Sequence, residues 1–153
     1  MIRQDYIVRL IEQCAQALSQ MLRQRQAGEL EPALQTLRDA EDTLLGDRRP
    51  VVDRLEASSA VSVAGADLVR LYAGLLGEEG LIYQARGDSA QAHLACRRAA
   101  ELYAAVSMVG TRLDDAELNR VATILTIVSC ADCEPRYGGE LTRLQRLSAL
   151  TSG

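Results

Sequence analysis

Residues 67–106 read DLVRLYAGLLGEEGLIYQARGDSAQAHLACRRAAELYAAV, and their spacing decides the fold. Leu68, Leu71, Tyr72, Leu75, Ile82 and Tyr83 recur with helical period, which predicts a helix over about Asp67 to Arg86. Gly74, Gly77 and Gly80 interrupt it, and three interior glycines cost on the order of 2 to 3 kcal/mol relative to alanine. Close contact with another helix is needed to offset that cost. Gly87 and Asp88 make a turn, after which Ala92, Ala95, Cys96, Ala99, Tyr103 and Val106 give a second helix a face of mostly small residues, up to Gly110. Two helices joined by so short a turn lie antiparallel.

The same reading extends to both sides. Ile7, Leu10, Ile11, Cys14, Leu18, Met21 and Leu22 predict one amphipathic helix from about Ile2 to Ala27, stopped by Gly28. Within it Ile7, Cys14 and Met21 repeat every seven residues with Ile11 and Leu18 between them, a seam suited to packing along another helix of this chain or of a second copy. Pro32 can open the next helix because its missing N–H is not needed there, and Leu34, Leu37, Ala40, Leu44 and Leu45 form its stripe up to Gly46. Residues 47–66 carry no single reading, although Val51, Val52 and Leu55 can start a short helix. A long helix is predicted from the N-cap Asp114 to Cys130 through the apolar run Val121 to Val128, Pro135 breaks the chain, and Leu141, Leu144, Leu147 and Leu150 predict a short terminal helix. No segment alternates with period two over strand length. The expected fold is therefore all-α: antiparallel helical hairpins, about six helices, in a single domain over residues 1–153.

Composition removes whole classes of function. All 17 basic residues are Arg, so no side chain can form a Schiff base or serve as the lysine of a phosphate-binding loop. Phe and Trp are absent and the net charge is -4, which argues against a base-stacking platform and against nucleic acid as partner. No apolar run reaches the roughly 20 residues of a membrane span, and the N-terminus lacks an apolar signal core, so a cytoplasmic location with reduced thiols is expected.

The stretch Gly80 to Asp88, followed by Ala92, Ala99 and Leu102, resembles a tetratricopeptide repeat, in which a small residue and an aromatic three further on pack the first helix and alanines seven apart pack the second. Gly28-Glu29-Leu30 with Ala33, Leu37 and Ala40 echoes the turn and second helix of the motif, with Met21 and Gln24 standing where a small and an aromatic residue are usual. The turns at Gly28 and Gly87 are far further apart than one repeat, so the resemblance implies a repeat-like bundle with an insertion. It also implies a partner-binding face on the first helices: Leu18, Leu22 and Arg25 in one hairpin, Gly74, Gly77, Leu81 and Gln84 in the other. That face lacks the Lys and Asn clamp such repeats use on peptide carboxylates. The opening Met1 to Ile7, with Arg9 to Gln13, resembles the start of a family of small bacterial helical proteins, a resemblance that implies no activity.

Reactive groups are few. Cys130 and Cys133 form a CxxC, a spacing that can serve a redox pair or half of a zinc site, but the remaining soft ligands Cys14, Cys96 and His93 do not stand at the expected spacing, so ordinary free thiols at a helix end are expected. His93 is the single histidine and has no evident nucleophile beside it. Glu78 and Glu79 are adjacent on a helix and point in different directions, which argues against their acting as a carboxylate pair with each other or with Glu101. The expected function is a non-catalytic scaffold for protein–protein interaction, including self-association as a homodimer, with no cofactor and no metal. A thiol-based metal or redox protein using Cys130 and Cys133, or a small-molecule pocket near Tyr72, Tyr83 and Tyr103, are the alternatives.

Overall fold

The computed structural model describes residues 2–152, with side chains from Gln4 to Thr151. Its helices are α1 (Ile2–Gln26), α2 (Leu30–Leu45), α3 (Arg49–Arg54), α4 (Ala57–Ala64), α5 (Ala66–Ala85), α6 (Ser89–Met108), α7 (Asp115–Ile124) and α8 (Pro135–Ser152), and the described residues contain no strand. The fold is all-α. Seven helices have eight residues or more, close to the expected six, and α3 has six residues.

Three hairpins follow one another: α1 with α2, α5 with α6, and α7 with α8. Helix α2 packs on α5 and so joins the first two, while α7 and α8 both pack on α6. Both predicted turns are present, with Gly28 at φ 78° and Gly87 at φ 83°, the left-handed region that glycine enters without a Cβ penalty. Ala92, Ala99 and Leu102 of α6 are wholly buried, as are Ala33 and Leu37 of α2. Segment 47–66 becomes a short 3-10 turn, α3 and α4, and α4 covers α6 and α5. Glu56 caps α4 by accepting from the Ser59 N–H at 2.9 Å.

Three expectations are corrected. The long helix from Asp114 to Cys130 ends at Ile124, and the chain turns back before a 3-10 turn at Cys130–Asp132. The sequence after Ala122 is rich in β-branched residues that lose rotamer freedom in a helix, and Thr126 Oγ1 donates to Thr123 O at 2.6 Å, a local bond that competes with the helical ladder. Turning there also buries Leu125 and Val128. Second, the terminal helix is long, 18 residues, because Pro135 opens it at a position where its missing N–H is no loss. Third, the heptad seam of α1 divides. Leu10, Cys14 and Met21 enter the core of their own chain, whereas Ile11 is 47% exposed and Ile7 and Leu18 are half-buried on an adjacent stripe.

Candidate functional site

The first helices of the three hairpins, α1, α5 and α7, enclose a groove of about 390 Å³ whose walls include Ile11, Leu18 and Leu71 and whose floor includes Gly74, Arg70 and Arg120. The glycines admit α7 to this place. A Cβ on Gly77 would lie 2.8 Å from Ile124 Cδ1 and 3.3 Å from Arg120 Cδ, and one on Gly74 would lie 3.1 Å from the Tyr103 hydroxyl. The helix-propensity cost of Gly74 and Gly77 is thus offset by contact with α7 and with the Tyr103 hydroxyl, and the contact sets the groove's depth.

Its cations are already paired. Arg120 Nε donates to Glu78 Oε2 at 2.7 Å and Arg120 Nη1 to the Tyr103 hydroxyl at 3.1 Å, while Arg25 approaches Glu78 at 3.7 Å. Burial works against the Arg120 charge, yet Tyr103 and Glu78 hold its pKa above that of a free guanidinium. Burial pushes the Tyr103 phenol up to about 12. Arg70 holds both carboxylate oxygens of Glu117 in a fork and also donates to Arg112 O at 3.2 Å. Glu117 completes a capping box with Asp114 at the start of α7, so the cap and the groove share one carboxylate. The Arg70–Glu117 and Arg120–Glu78 pairs leave apolar walls over a neutralised polar floor, a surface suited to binding.

Leu18 lines this groove and Gly74 forms part of its floor, while Gly77 and Arg25 lie outside its lining, Arg25 approaching Glu78, the partner of Arg120, at 3.7 Å. Leu22 (49% exposed), half-buried Leu81 and exposed Gln84 lie outside its lining. Ile11, Arg70, Leu71 and Arg120 were not legible as site residues, because they come together only where α1 and α7 both pack on α5.

The other candidates fall apart or rearrange. Cys133 is buried, which pushes its thiol up to about 11, and Cys130 is half-buried; all four cysteines are free. Among the described residues no group of three His, Cys, Asp or Glu is arranged to hold a metal ion. The three tyrosines do not share a pocket: Tyr72 and Tyr83 border one open cleft of about 300 Å³ together with Glu79, and Tyr103 stands at the groove. Glu101 accepts from the Glu134 N–H at 2.8 Å. Glu78 and Glu79 do diverge, but Glu79 turns inward to meet Glu41 of α2, a pairing across two hairpins that spacing along one helix does not reveal. No protein family, curated protein or solved structure matches the chain.

Proposed function

We propose that this chain is a non-catalytic interaction scaffold on a tetratricopeptide-like plan, and that its first partner is a second copy of itself, docked through α1. The observation that carries the reading is the stripe Ile7, Ile11, Leu18 and Leu22, which remains half-buried or exposed after the other apolar face of α1 has entered the core. Its spacing of four, seven and four residues is the same in either direction. Two copies related by a two-fold axis near residue 14 therefore set Ile7 of one copy opposite Leu22 of the other and Ile11 opposite Leu18, the self-complementarity an isologous dimer requires. The antiparallel arrangement also brings Asp5 of one copy near Arg23 and Arg25 of the other, which is electrostatically favourable.

A cytoplasmic location accompanies this reading, and none of the described helices is long and apolar enough to cross a membrane. The thiol-based alternative has less support, since burial of Cys133 disfavours the thiolate that metal binding or exchange needs. Light scattering at micromolar concentration tests the proposal. The expected result is a dimer for the wild-type chain and a monomer with unchanged helical circular dichroism for the double variant Ile11→Glu, Leu22→Glu. A wild-type chain that stays monomeric, or a double variant that stays dimeric, overturns it.

A further inference from the structure

Glu41 of α2 and Glu79 of α5 are 1% and 8% exposed. Each has one buried oxygen, Glu41 Oε2 and Glu79 Oε1, with no hydrogen-bond partner. Glu41 Oε1 accepts from Arg49 Nη2 at 3.1 Å, but that guanidinium is divided: it also holds Asp42 at 2.6 Å and approaches Asp53 at 3.4 Å. One shared cation does not neutralise two buried carboxylates side by side, and like charges in such a site do not both ionise. A single proton between the two orphan oxygens converts both into one donor–acceptor pair.

We propose that Glu41 and Glu79 share one proton at neutral pH, and that this carboxyl–carboxylate bond is a proton-operated clasp fastening the α1/α2 hairpin to α5. The charged and titratable groups around it are Arg38 and Asp42 from α2, Arg49 and Asp53 from α3, Tyr72 and Tyr83 from α5, and Arg98 from α6. Tyr72 donates to Asp53 at 3.0 Å, Tyr83 accepts from Arg38 at 2.5 Å, and Arg98 donates to Val52 O at 2.9 Å, and none of these groups reaches either orphan oxygen with a hydrogen bond. Burial, and then Glu79, push the Glu41 carboxyl up to about 9 against the opposing pull of Arg49. Because α2 on α5 is the main seam between the first two hairpins, loss of the proton loosens α1 as well, and with it one wall of the groove.

The sign of the pH dependence follows from linkage. The folded chain keeps a proton that the unfolded chain releases at the ordinary carboxylate value, so stability from this group is greatest below about 4.5 and falls until about 9, where the folded state releases it too. Carbon-13 NMR of the glutamate carboxyls in the full-length chain tests this directly. One resonance of the pair is expected to titrate near pH 9, and Glu41→Gln, whose amide can donate permanently to Glu79, is expected to melt above the wild type at pH 8 and to converge with it at pH 5. In Glu79→Gln the proton is no longer needed, and the Glu41 resonance is expected to move to lower pH. The proposal is overturned if both wild-type carboxyls titrate below pH 6, if Glu41→Gln retains the wild-type slope, or if Glu41 still titrates near 9 beside Gln at 79.

Discussion

A Cβ placed on Gly80 would stand 2.5 Å from Cys96 Sγ and 3.2 Å from the Cys96 backbone nitrogen. The buried thiol of α6 thus occupies the volume that any larger residue on α5 would claim, and the backbones of the central hairpin meet across that point.

Gly80→Ala is therefore expected to destabilise by about 1 to 3 kcal/mol despite the better helix propensity of alanine, because overpacking outweighs the entropic gain. Denaturant unfolding measures this. Adding Cys96→Ala removes Sγ and should recover part of the loss, leaving the backbone clash. Gly139, in α8, provides the contrast, since a Cβ there would meet nothing within 4 Å: Gly139→Ala should stabilise by roughly 0.5 kcal/mol.

Arg120→Met keeps much of the apolar stem against Gly77 but strands Glu78 and Tyr103. Both partners of the ion pair are mostly shielded, with side chains 15% and 14% exposed, so the loss is expected to approach 3 kcal/mol, the lower range for breaking a buried pair. Urea titration of Arg120→Met, Glu78→Gln and the double variant measures the coupling. If the double variant is as unstable as the two single losses combined, the pair makes no joint contribution.

Thiol labelling separates the cysteines. Cys14, Cys96 and Cys133 are buried, and burial pushes each thiol up to about 11, so at pH 8 their thiolates are scarce and shielded. Under native conditions these three should react with an aromatic disulfide reagent only as the chain opens, and at a rate that rises with added urea. Prompt labelling of Cys133 in the folded chain would restore the redox reading of the CxxC.

At the capping box, Asp114→Ala is expected to cost about 1 kcal/mol and to increase amide exchange at the start of α7. Asp114→Asn should retain most of that stability, since its side-chain oxygen can still accept from the Glu117 N–H. Comparable exchange in the two variants would contradict the cap's role.

The central hairpin was legible because its evidence is local: Gly87 supplies the left-handed turn, and Ala92, Ala99 and Leu102 make a face that can only pack closely. The break at Leu125 was not, since an apolar run suits a buried helix and a buried turn equally, and the choice lies with what Leu125 and Val128 pack against. Leu18 and Gly74 could be assigned to the groove by analogy with a repeat, whereas Arg70 takes its place from Glu117 of α7, and Arg120, itself on α7, from Glu78 of α5.

Amino-acid order by itself determined helix content, the two glycine turns, and a chemistry without lysine, limited to arginine, carboxylates, four thiols, five phenols and one imidazole, because periodicity and composition act over a few turns of backbone. Only the tertiary structure decided which α1 stripe is covered, how Arg120 meets Glu78, and that Glu41 finds Glu79. The last two relations join residues 42 and 38 positions apart, and at such separations packing selects partners that no short-range pattern encodes.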